Sequence, residues 1–98
     1  MEVMITITGI KHYIDVMELQ PKQEVLLKKD FNNKYDLEAI AVYLNESMQI
    51  GYVANSIHTQ AKGTYSSGRL YDKITDDVKA KILVVLHDSA IAVVDIDK

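Results

Sequence analysis

The chain has 98 residues, 48% of them hydrophobic, with no cysteine and a net charge of -3. That length predicts one domain, residues 1–98, with a modest core. The missing thiols exclude a disulfide framework, a cysteine nucleophile and a cysteine zinc site, and the acidic balance counts against a protein that coats nucleic acid by bulk charge.

In chain order, Val3, Ile5 and Ile7 alternate with Met4, Thr6 and Thr8 up to Gly9, which is the period-two pattern of a strand. The start lacks the basic and apolar regions of a signal peptide, and no run of 18 apolar residues follows. The expected location is cytoplasmic, with no membrane partner. Gln23–Lys29 is a second apolar run, after the punctuation of Pro21, and Ala39–Leu44 is a third. Asn45-Glu46-Ser47 reads as a tight turn into Met48–Val53, which makes a hairpin; Gly51 there permits a bulge or a close backbone approach.

Between Ala54 and Thr75 the alternation stops. "NSIHTQAK" suits a short helix capped at Asn55 or Ser56 and stopped by Gly63; "GTYSSG" is a loop, and "RLYDKI" adds a helical turn. Val78–Leu86 alternates strictly. Its Ala, Lys and Leu content would also suit a helix, but the alternation favours a strand. His87-Asp88-Ser89 turns the chain into a final strand near Ile91–Ile96. Six short strands with a helical insertion at about residues 54–75 predict a mostly β fold, a small OB-like or SH3-like antiparallel barrel.

Catalytic and metal chemistry find little support. His12, His58 and His87 show no metal-ligand spacing, and no cofactor is implied. His12 precedes Asp15 by three residues, a spacing open to a base and its orienter, but no serine stands in a G-x-S-x-G elbow. "GTYSSGRL" begins like a phosphate loop, then has Arg69-Leu70 where Lys and Ser/Thr are needed. Asp76 and Asp77 read as a solvated turn. The expectation is a protein that is not an enzyme. Of its six tyrosines, Tyr43 and Tyr52 lie within strands, where packing is the simplest role. Tyr13 and Tyr35 lie at strand ends near Lys11 and Lys34, where an aromatic face and a cation suit a base and a phosphate. The "FNNKYD" segment suits an Asx-type turn equally well.

Three segments together resemble the HIRAN domain family: "TGIKHY" (8–13), "KKDFNNKYDLEAIAVYL" (28–44) and "QIGYV" (49–53). The resemblance implies an OB-like barrel that works beside helicase or nuclease machinery on damaged or stalled DNA. It implies a non-catalytic module for single-stranded DNA that recognises the 3′-hydroxyl end. In this sequence it implies that Tyr35 stacks on the terminal base and Asp36 accepts from the 3′-hydroxyl. Lys11 would lie near a phosphate, His12 and Tyr13 would supply flanking rings, and Asn33 would hold the loop or touch the backbone. Tyr52 stands where the DNA-binding branch carries a histidine, Lys34 replaces a common proline, and "ANSIH" lacks that branch's lysines. The alternative is a protein-interaction adaptor of the same fold, docking through an edge strand or an aromatic strip around Tyr65 and Tyr71.

Overall fold

The computed structural model describes residues 1–75 and 77–96. Its six strands are β1 (Glu2–Thr8), β2 (Glu24–Lys29), β3 (Ile40–Asn45), β4 (Met48–Val53), β5 (Val78–Val85) and β6 (Ala90–Asp95). All neighbours are antiparallel, and the order β1-β4-β3-β2-β5-β6 closes on itself as a barrel. Closure removes both sheet edges, so the backbone groups of these short strands find partners without a second sheet.

Alternation decides which side chains fill the barrel. Val3, Ile5 and Ile7 of β1 are buried, as are Val25 and Leu27 of β2, Ile40 and Val42 of β3, and Ile82 of β5. A narrow barrel cannot hold large side chains at every inward position, and β6 supplies the small ones. Ile5 and Ile82 both pair with Ala92, and Ile7 pairs with Ala90. Large residues thus face small ones across the ladder, which fills the interior without overpacking it.

Gly51 lies at the seam where β4 meets the end of β1. A Cβ there would sit 2.5 Å from the Thr8 carbonyl oxygen, so the close approach anticipated for this glycine is present. The register irregularity falls opposite, in β3, on either side of Tyr43. The β3–β4 turn is held by Asn45, whose Oδ1 accepts from Ser47 N at 3.0 Å and Met48 N at 3.1 Å.

Two single-turn 3-10 helices, Ile10–His12 and Val16–Glu18, fill the β1–β2 connection. Gly9 enters the first in the left-handed region, at φ 77°. Asp15 caps the second by accepting from Met17 N, so it serves backbone structure and not His12.

The 54–75 insertion departs from expectation. "NSIHTQAK" forms turns and no helix. Ile57, its largest apolar residue, is exposed, so a helix here would have no buried face to offset the cost of nucleation. The helix forms later, as α1 (Ser67–Tyr71), with Ser66 as the cap accepting from Arg69 N at 3.1 Å.

The insertion lies along the outside of β1, where Tyr65 N donates to Met4 O. Beneath it a buried hydroxyl pair joins Thr6 and Thr64 at 2.9 Å. Thr64 already donates to Ala61 O, so Thr6 must be the donor within the pair, while Thr6 Oγ1 accepts from Ala61 N. Of the carboxylates Asp76 and Asp77, Asp76 lies outside the described residues, and Asp77 is exposed with φ 61°.

Candidate functional site

The segment between β2 and β3 is polar, yet its backbone is tied down at nearly every step. Asp30 Oδ1 accepts from Asn32 N at 3.2 Å. Asn33 Oδ1 accepts from both Tyr35 N at 2.8 Å and Asp36 N at 2.9 Å, and Asp36 Oδ1 accepts from Glu38 N at 2.9 Å. Three consecutive Asx-type turns therefore shape residues 30–38, because short polar side chains satisfy amides that no strand partner reaches. Asn33 is the loop's central brace.

Two longer links strap this loop to β4 and to the residues just after it. Tyr52 Oη donates to Asp30 Oδ2 at 3.0 Å, and Asn55 Nδ2 donates to Asp36 Oδ2 at 2.9 Å. With its backbone held and its ring left over, Tyr35 is 97% exposed. Asp36 beside it is half-buried. Thr8, Asn33, Tyr35, Asp36, Tyr52 and Asn55 line an open recess of about 510 Å³.

Of the residues expected to bind, the structure brings Asn33, Tyr35, Asp36 and Tyr52 to this recess. Lys11 and His12 line a second recess of about 230 Å³, together with Thr8, His58 and Asp88. Thr8 borders both recesses, so the two are adjacent along the end of β1. Tyr13 lines neither recess, but its hydroxyl lies beside Tyr52, and the side chain is exposed. Partial burial lifts its hydroxyl above the usual phenol range, and Tyr52, Tyr43 and Asp30 push in the same direction.

Asn55 was missed as a site residue. As a candidate helix cap it had a local explanation, whereas its partners lie 19 and 13 positions away at Asp36 and Gly68. The polar pattern of "ANSIH" carries no local signal for such contacts.

The cations are distributed unevenly. Lys28 Nζ sits 5.0 Å from the Tyr43 ring centre, Lys29 Nζ 4.4 Å from that of Tyr71, and the Arg69 guanidinium 3.9 Å from that of Tyr65. Among the described residues, Lys11 and Lys34 have neither an ion pair nor an aromatic partner. Tyr65 and Tyr71 are half-buried against the core, and cations cover their rings, so the aromatic strip expected there does not form an open docking surface. No group of three or more histidine or acidic side chains among the described residues is placed to hold a metal ion. No helix there is long and apolar enough to cross a membrane.

A protein of Lactobacillus plantarum, known from its crystal structure, superposes with a TM-score of 0.59 at 16% sequence identity, over 95% of this chain and 93% of that one. Likeness at that identity speaks for the fold alone. No curated protein matches the chain. The sequence matches the HIRAN domain over residues 2–71, which runs from β1 through the recess-forming loop to the end of α1. The chain belongs to the HIRAN domain family, a family of nucleic-acid-binding domains.

Proposed function

We propose that this protein is a non-catalytic module that binds single-stranded DNA and recognises its 3′-hydroxyl end. The observation that carries the reading is the pairing of an exposed ring, Tyr35, with a half-buried, hydrogen-bonded carboxylate, Asp36, on one recess.

The ring offers a stacking face to any base, with about 1–3 kcal/mol available per stacked base. The carboxylate accepts a hydrogen bond from a free hydroxyl. It repels a terminal phosphate, and it repels the next phosphate of a strand that continues past the site. Tyr35 therefore supplies affinity without base preference, and Asp36 restricts that affinity to ends.

Lys11 and His12 lie in the adjoining recess, where the preceding phosphate of a strand crossing Thr8 would fall; Lys34, next to Tyr35 in the chain, and Tyr13, beside Tyr52, would flank the path. Tyr52 acts chiefly by holding Asp30 in place. Residues 1–98 work as one unit in this reading, because β5 and β6 complete the barrel that carries the loop. The chain would supply end recognition in DNA repair or replication-fork processing, with a separate cytoplasmic helicase or nuclease supplying the chemistry.

The test is a titration at low salt with short labelled oligonucleotides that differ only at the 3′ terminus. Tighter binding of the hydroxyl end than of the phosphate end is expected. Equal binding of the two would exclude end recognition by Asp36.

A further inference from the structure

Asp36 is the side chain on which selectivity rests in the function proposed above, and a carboxylate on an open loop would ordinarily turn about its own axis. Here both oxygens are held. Oδ1 accepts from Glu38 N and Oδ2 from Asn55 Nδ2, each at 2.9 Å. A carboxylate oxygen has two acceptor positions, so each retains one for a ligand, in a fixed direction.

The hold is only as firm as Asn55, and Asn55 is itself braced. Its Oδ1 accepts from Gly68 N at 2.8 Å, in the first turn of α1. The preceding residue, Ala54, is buried; its N donates to Thr6 O at 2.8 Å, and its carbonyl accepts from Ser67 N at 3.0 Å. The hydroxyl of buried Ser67 donates in turn to Glu38 O at 2.5 Å. Strand β1, helix α1 and the loop carrying Asp36 thus converge on Asn55. Space agrees with the bonding, since a Cβ at Gly68 would lie 2.6 Å from Glu38 Oε1 and 3.3 Å from Asn55 Oδ1.

We infer that Asn55 is the positioning residue for end selectivity: it aims the Asp36 carboxylate so that its remaining acceptor positions meet a terminal hydroxyl. The inference rests on Asp36 being the group that meets that hydroxyl. Preorganisation is the physical gain, because a carboxylate already oriented loses no rotational freedom on binding. An amide is suited to the task. It donates to the carboxylate with one end and accepts from Gly68 N with the other, and it adds no charge beside Asp36.

The experiment measures binding of short oligothymidylates ending in a 3′-hydroxyl or a 3′-phosphate to wild-type protein, Asp36→Asn and Asn55→Ala. Amide hydrogen exchange of the ligand-free proteins accompanies it. Asn55→Ala is expected to lower the preference for the hydroxyl end about tenfold, the scale of one charge-assisted hydrogen bond. Binding of the phosphate end should stay within about twofold, because stacking on Tyr35 is untouched. Exchange should quicken at Gly68 N, which loses its acceptor, and stay slow at the barrel amides.

A role confined to supporting α1 would weaken both oligonucleotides equally, and that result would overturn the inference. So would a wild-type ratio in Asn55→Ala when Asp36→Asn has lost its preference, an outcome that leaves end reading by Asp36 intact. If wild-type protein already binds both ends equally, the proposed function fails first and the role of Asn55 falls with it.

Discussion

Replacing Tyr35 with alanine tests the proposed binding apart from folding. The side chain is 97% exposed, and the hydrogen bond in which the residue takes part is made by its backbone N to Asn33 Oδ1. Neither packing nor the Asx brace is lost in Tyr35→Ala, so stability should stay within about 0.5 kcal/mol of wild type. Binding should fall by the stacking contribution of about one base, on the order of 1–3 kcal/mol. That corresponds to roughly 5- to 150-fold in Kd at 25 °C. Fluorescence anisotropy with a labelled oligonucleotide reads the affinity, and thermal unfolding of the same samples reads the stability. Tyr35→Phe is the control, since it keeps the ring face and should bind within about twofold of wild type. An affinity unchanged by the alanine substitution would refute the stacking role. A clear fall in Tm would show that the ring is anchored on the protein and is not presented to a ligand.

Three further outcomes follow from the same geometry. Thr6→Val keeps the shape but removes the acceptor of Ala61 N and the donor to Thr64 Oγ1, so denaturant unfolding should show a loss of about 1–3 kcal/mol, with Thr6→Ser recovering most of it. Gly51→Ala would drive its new methyl group against the Thr8 carbonyl at 2.5 Å, a backbone atom that can yield only by moving the end of β1. A loss of about 1–3 kcal/mol is expected there, and an unperturbed Tm would refute a tight approach of β4 to the end of β1. Finally, the salt dependence of DNA binding should be shallow. With Lys11 and Lys34 as the two cations on the path, a slope of about -0.7 per contact gives roughly -1.4 in log K against log salt, and a slope steeper than about -3 would mean that the lysines over Tyr43 and Tyr71 leave their rings to bind phosphate.

The strands were legible because their pattern is local. Alternating apolar and polar residues in "VMITIT" and "VKAKI" imply one wet and one dry face whatever lies opposite, and the structure places both segments in strands, although a register shift after Ile82 ends the alternation and leaves Val84 and Leu86 exposed. The residues that make the barrel close were not legible in the same way. Ala90 and Ala92 read as ordinary strand residues until the register sets them against Ile7, Ile5 and Ile82. The insertion defeated sequence reasoning for a related reason. Asn55 and Ser56 look like helix caps, but Ile57 has nothing to bury against, and Asn55 is drawn to Asp36 and Gly68. A capping residue forms a helix only where the following face has a partner.

The candidate site divides along the same line. Asn33 braces amides two and three positions ahead, so "NNKYD" announces a shaped turn from composition alone. What that turn presents depends on contacts far away in sequence: Tyr52 on Asp30, Asn55 on Asp36, and Lys28 and Lys29 turned onto Tyr43 and Tyr71. Counting lysines near the loop overstates the charge available to a strand of DNA, because two of the four lie on aromatic faces. Counting acids understates their order, because Asp30 is fixed by a donor from β4 and Asp36 by one from Asn55, just beyond it. A site short of cations but rich in fixed acceptors is poorly suited to gripping a phosphate backbone along its length. It is better suited to one stacked base and one neutral hydroxyl, and the free hydroxyl is the feature that distinguishes the end of a strand from its middle.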